Sequence, residues 1–161
     1  MINSFHLVQA AKFHSRYLRN KIRVAYTARE AFIIARSNDH QKRKDWESPQ
    51  PPDGVIFKEA VMKNAIFEKF LQHVKLKHKL FSTGKAKIYE HTENDRYWGD
   101  GGRNRNGLNR LGTMLQEIRN MLMEEEKHVL ISRYGSNGYN RKWIVTELQE
   151  LQQFEDLIDL D

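Results

Sequence analysis

Residues Glu90 to Gly112 read EHTENDRYWGDGGRNRNGLNRLG, and their side chains suit the chemistry of a sugar–base bond. Glu90, Glu93, Asp95 and Asp100 are carboxylates. A carboxylate beside an anomeric carbon can stabilise positive charge there or activate a water, as glycosidic cleavage requires. Tyr97 and Trp98 can stack on a heterocycle. Arg103, Arg105 and Arg110 can take phosphate oxygens in bidentate fashion. Glycines at 99, 101, 102 and 107 lead into a helical pattern, with Asn106, Gly107 and Asn109 at its start. Free N–H groups at such a helix N-terminus can bind an anion. The combination points to a ribose-bearing, nucleotide-like ligand. It also describes a surface loop anchored to the core by Trp98, and the residue types by themselves leave both readings open.

Other chemistries have little support. The seven His are scattered, and neither His6/His14 nor His73/His78 has the spacing and third ligand of a zinc site. No metal is expected. The chain has no G-x-S-x-G elbow, no Walker A loop and no G-x-G-x-x-G turn. It also has no cysteine, which removes disulfide and thiol chemistry.

The elements that must position the 90–112 run follow from periodicity. Phe5, Val8, Phe13, Leu18, Ile22 and Tyr26 recur at helical spacing, which predicts one or two helices over 5–26. Thr27, with Glu30 three residues on, predicts a capped helix through Ile34. Residues 37–54 hold all three prolines and are expected to be a loop. Met62, Ile66, Phe70 and Val74 step by four and predict one helix over 55–80. Lys87–Tyr89 suits a short strand. Leu108, Leu111, Leu115, Ile118 and Leu122 predict a second strong helix ending near Glu126. Val129–Tyr134 and Lys142–Val145 flank GSNGYN, which suggests a hairpin, and Gln149–Asp159 reads as a final acidic helix.

The chain has 161 residues, 39% hydrophobic and 30% charged, a globular composition. No apolar run approaches the ~20 residues of a membrane span, and no secretory signal is legible, so a cytoplasmic protein with no membrane partner is expected. The net charge of +6 is uneven. Residues 1–44 hold ten Lys/Arg against Glu30 and Asp39, whereas residues 124–161 hold nine acids against four bases. The basic part suits an anionic partner such as phosphate or nucleic acid, and equally a solvated helix face.

Four motifs, in order, resemble one family. EHTENDRYWGDGG followed by LNRLGTMLQEIR resembles the signature of the NADAR (YbiA-like) family. QAAKF (9–13) resembles its Q-A-x-K-F, RKDWES (43–48) its R-x-x-W-E loop, and VMKNAIFEKFLQH (61–73) its V-M-x-x-A-x-x-x-K-F helix. The resemblance covers about residues 3–123. It implies a predominantly helical α+β fold and cleavage of N-glycosidic bonds without a metal or cofactor. The substrates it implies are ribosylamino-pyrimidine phosphates of the early riboflavin pathway, or ADP-ribose on guanine in nucleic acid. The partners would then be a ribose-phosphate or ADP-ribose ligand, and a nucleic acid carrying ADP-ribosyl-guanine. On the motif matches, Asp95 and Asp100 are the expected catalytic acids. Lys12, Arg43, Trp46, Glu90, Trp98, Gly99, Asn109 and Arg110 are the expected ligand-binding residues.

One departure matters. The family's motif runs T/S-x-E-H-x-x-Q-A-x-K-F, and its catalytic Glu falls here on Phe5, while His6 is retained. Phenylalanine can neither take a proton nor stabilise an oxocarbenium-like centre. The family's N-terminal strands are also expected to be missing. The expected organisation is a NADAR-like domain over 1–125, with an acidic hairpin-plus-helix extension over 126–161 packed on it. Three functions remain in play: an N-glycosidase, a binding-only relative, and a structural subunit that recruits a partner through the acidic tail or exposed apolar surface.

Overall fold

The computed structural model describes residues 4–134, which form a predominantly helical α+β fold. Six α-helices lie among them: α1 (Ser4–Ala11), α2 (Arg16–Arg23), α3 (Ala28–Ser37), α4 (Phe57–Gln72), α5 (Val74–Ser82) and α6 (Arg110–Tyr134). The only sheet among the described residues is a two-residue ladder of β1 (Pro49–Gln50) and β2 (Val55–Ile56). It is antiparallel, with Pro49 opposite Ile56 and Gln50 opposite Val55. The chain divides into two compact units, residues up to Val74 and residues from Lys75.

In the first unit, α1 packs against α2, α3 and α4. Phe13, Leu18 and Ile22 meet Ala10, Ala31 and Ala35 in one core. The small alanines let the helix backbones approach, so the large side chains fill the space between them. Helices α2 and α3 start on side-chain caps, and the Thr27 cap is the one its sequence predicts. Ser15 Oγ accepts from Leu18 N–H, and Thr27 Oγ1 accepts from Glu30 N–H at 3.0 Å. The Glu30 carboxylate returns a bond to Tyr26 N–H at 2.8 Å, one residue before the position a capping box uses. Helix α4 has no side-chain cap. Its first N–H groups, on Phe57 and Lys58, donate instead to the carbonyls of Ser48 and Trp46. The 43–48 loop is thereby sewn to the start of α4.

In the second unit, α6 buries Met114, Ile118 and Leu122, one stripe at steps of four. Arg119 is also buried. Its guanidinium donates to Thr83 Oγ1 at 2.6 Å and to the Ala86 carbonyl at 3.0 Å, which ties the chain after α5 to α6. Lys77 of α5 pairs with Glu126 of α6.

Four expectations are corrected. The helix expected over 55–80 is broken at His73, whose backbone turns to φ −123°, ψ 88°. Part of the 37–54 loop, with the residues after it, forms the β1–β2 hairpin. The strand expected at Lys87–Tyr89 does not form, because no neighbouring strand offers a ladder and a side chain satisfies its backbone instead, as described below. Helix α6 does not end near Glu126 but runs on through Tyr134, so the first arm of the expected C-terminal hairpin is helical. The other hairpin arm, Lys142–Val145, and the helix expected over Gln149–Asp159 lie outside the described residues. No helix among the described residues is long and apolar enough to cross a membrane.

Candidate functional site

The 90–109 loop is built around Asp100, a residue only 2% exposed. One carboxylate oxygen accepts from Gly102 N–H at 2.9 Å and from Thr92 N–H at 3.4 Å. The other lies 3.0 Å from His91 Nδ1, with Arg105 Nε at 4.0 Å. The His91 bond is the main cause holding the Asp100 carboxyl below the usual carboxylate range; burial opposes it, and the two backbone N–H groups assist. An ionised Asp100 can only accept, so Nδ1 must carry a hydrogen; in the neutral imidazole that leaves the lone pair on Nε2. The His91 side chain is 65% exposed, so the geometry is a buried acid holding an open imidazole in one tautomer.

A second carboxylate shapes the turn that carries the aromatic pair. Asp95 Oδ1 accepts from Tyr97 N–H at 2.9 Å and from Trp98 N–H at 2.8 Å, an Asx-type turn. The Tyr97 and Trp98 rings meet edge to face, 5.1 Å between centroids. Gly99 is buried because nothing larger fits: a Cβ there would lie 2.3 Å from Thr92 Cγ2 and 2.8 Å from the Asp95 carbonyl. Glu90 is exposed, and its backbone carbonyl accepts from Asp100 N–H at 2.8 Å.

The start of α6 is consumed by this loop. The N–H groups of Gly107, Leu108, Asn109, Arg110 and Leu111 donate to the carbonyls of Asp100, Arg96, Gly99, Tyr97 and Trp98. The anion site expected from free N–H groups at this helix start is therefore not available on those five, because intraloop carbonyls already hold them. Asn109 does a different job. Its Nδ2 donates to the Ile88 carbonyl and its Oδ1 accepts from Glu90 N–H, both at 2.9 Å. One side-chain amide thus supplies both bonds that a neighbouring strand would have given to residues 88–90. Phosphate capture is left to side chains. Arg105 is the best placed: its guanidinium lies over the Tyr89 ring, 5.3 Å from the centroid, and its side chain is open to solvent. Arg110 holds its own hydrogen bond from the backbone to Tyr97.

The motif residues of the first unit have settled environments of their own. Arg43 makes a fork to Asp45, 2.6 Å on each arm, and its guanidinium stacks 3.7 Å above the Phe57 ring. Trp46 is buried against Val8, Ala65 and Phe57, so it is a core residue. Lys12 is half-buried, and burial is the main cause lowering its pKa, partly offset by Asp39. Its carbonyl accepts from Arg43 N–H at 2.8 Å. Sequence reasoning passed over His91, the residue with the clearest chemical arrangement. Its signal was present, a His nine residues before an Asp in the signature run, but a lone His carries no hint of its partner. It also passed over Glu59, a buried carboxylate of α4. Among the described residues, no three His, Asp or Glu side chains are grouped as metal ligands.

Comparison with known proteins gives a consistent picture. A sequence model described as the NADAR domain matches residues 3–123. The protein named N-glycosidase YbiA of Escherichia coli (strain K12) is 42% identical over 123 residues, which cover 76% of this chain and 71% of that one. The protein named Riboflavin biosynthesis protein VVA0006, of Vibrio vulnificus (strain YJ016), is 33% identical over 141 residues, 88% of this chain and 36% of that one. The NMR structure of E. coli YbiA superposes with a TM-score of 0.67 at 37% identity, covering 86% of this chain and 71% of that structure.

Proposed function

This chain belongs to the NADAR domain family, and from that premise we propose that it is a hydrolase cleaving the N-glycosidic bond of a ribosylated heterocycle. The observation that carries this reading is the Asp100–His91 pair on the loop that presents Trp98. Hydrolysis needs a water activated at the anomeric carbon. In this reading His91 Nε2 takes a proton from that water as its oxygen bonds to the sugar carbon. The carbon–nitrogen bond breaks, its electron pair stays on the heterocycle nitrogen, and that nitrogen is protonated. Asp100 is a positioning residue: it fixes the tautomer and stabilises the imidazolium that forms. Asp95 acts through the backbone by holding Tyr97 and Trp98. Trp98 walls the heterocycle, and Arg105 takes a phosphate. The imidazole supplies the base that Phe5 cannot.

The substrate classes this reading admits are a ribosylamino-pyrimidine phosphate and ADP-ribosylated guanine, which share ribose, phosphate and a related ring. The test incubates the protein with each and follows release of ribose phosphate or ADP-ribose. His91→Ala is expected to slow release by about 10²–10⁴-fold. Trp98→Ala is expected to weaken binding of both. Release at the wild-type rate from His91→Ala would remove the imidazole from the mechanism. A second reading, a binding-only relative, is favoured by Phe5 standing where the family has its glutamate. It predicts Trp98 fluorescence quenched by ligand with no release above the blank.

A further inference from the structure

Helix α2 carries a dense run of arginines. Its sequence RYLRNKIR contains four cations and no acid. Leu18 and Ile22 fix its orientation by pointing into the core. That places Arg16, Arg19 and Arg23, at i, i+3 and i+7, along one outward stripe about 10 Å long. None of these three, nor Lys21, has a carboxylate within ion-pair distance among the described residues. Among the described residues nothing offsets the mutual repulsion of these cations, which an anion would relieve. Two exposed aromatic rings belong to the same segment, Tyr17 lying on the flank of α2 that carries Lys21 rather than among the arginines. Tyr17 is 70% exposed with Lys21 Nζ 5.9 Å over its ring, and Tyr26, just past the helix, is 96% exposed.

We propose that α2 and the turn to Tyr26 bind single-stranded nucleic acid, with the arginine stripe on successive phosphates and Tyr17 and Tyr26 stacking on unpaired bases. Basic side chains tracking a backbone beside exposed aromatic rings are what unpaired strands require, because their bases offer free π-faces. A duplex would satisfy the arginines but leave the rings idle. An anionic membrane would need an apolar face to insert, and the apolar face of α2 is already spent on the core. The proposal stands whether or not the chain is a hydrolase, since none of these residues belongs to the 90–109 loop.

The test is fluorescence anisotropy of the full chain with end-labelled twelve-nucleotide single strands, DNA and RNA in separate arms, across a salt series. Wild type should bind, with affinity falling steeply with salt. Arg16→Ala/Arg19→Ala/Arg23→Ala should bind about tenfold or more weakly and reduce the salt slope by about 2, at ~0.7 per phosphate lost. The matching triple lysine variant should stay within about threefold of wild type, since point charge is what a phosphate needs. Tyr17→Ala/Tyr26→Ala should bind about thirtyfold or more weakly with the salt slope unchanged, since each of the two stacked bases contributes roughly 1–3 kcal/mol. All five positions are exposed, and circular dichroism will verify the fold. Equal binding by wild type and the triple alanine variant would overturn the proposal. So would tighter binding to duplex of the same length, or stronger binding to phosphatidylserine vesicles than to either oligonucleotide. Turnover of a free ribosylated heterocycle by the triple alanine variant should match wild type, which separates failure of this surface from failure of the hydrolase reading.

Discussion

Replacing Gly112 with alanine sets two physical effects against each other. Gly112 lies in the first turn of α6, where alanine is the better helix former by about 1 kcal/mol at most. On helix propensity alone Gly112→Ala stabilises. The added Cβ, however, would lie 2.2 Å from the Ile88 carbonyl oxygen and 2.5 Å from Asn109 Nδ2. Neither neighbour is the free end of a flexible chain. The Ile88 carbonyl is the acceptor of the Asn109 amide, and the same amide receives Glu90 N–H. Forcing an atom into a packed site costs about 1–3 kcal/mol. Displacing Asn109 also puts two hydrogen bonds at risk, each about 1 kcal/mol net. Set against the helix gain, the balance is a destabilisation of about 2–4 kcal/mol. At roughly 2–4 °C per kcal/mol for a chain of this size, Tm should fall by on the order of 10 °C. Thermal and urea unfolding of Gly112→Ala, Asn109→Ala and the double variant will check this. The double variant should be less destabilised than the sum of the singles, because both act on one clamp. Because the clamp holds Glu90 and hence the chain leading to His91, turnover should fall with stability. An unchanged or raised Tm in Gly112→Ala would refute the close approach of Ile88 and with it the account of how the 88–90 segment is held.

Asp100 and its acid limb provide a second check. Its folded pKa lies below the unfolded value, so its contribution to stability is fully present above about pH 3.9 and is lost as pH falls through the lower folded value. The Tm difference between wild type and Asp100→Asn should therefore be constant near neutrality and shrink in strong acid; a pH-independent difference would contradict the His91 bond as its cause. Arg119→Ala should destabilise by about 3 kcal/mol, because it leaves the Thr83 hydroxyl and the Ala86 carbonyl without their buried donor, and urea unfolding will measure it. Arg119→Lys should recover only part of this, since the shorter lysine must reach both acceptors that Arg119 Nη1 holds.

The sequence determined the features whose causes lie within a turn or two of chain. Helices α1 to α3, the Thr27 cap and the glycine-rich loop before α6 follow from apolar spacing, capping residues and glycine content, and each is where that reading puts it. The four motifs in order were sufficient to identify the family. What the sequence could not determine is where partners far along the chain meet. Nothing local says that the Asn109 amide, 21 residues from Ile88, replaces a neighbouring strand there. Nothing local says that loop carbonyls occupy the N–H groups at the start of α6. Nothing local says that Val8, Ala65 and Phe57 close around Trp46. Nothing local says that Asp95 holds the Tyr97 and Trp98 N–H groups, or that Asp100 meets the His91 imidazole. Periodicity reports which face of an element is buried. Tertiary structure alone decides which polar group finds which partner, because a hydrogen bond needs both ends within about 3 Å, and only the full path of the chain sets that distance.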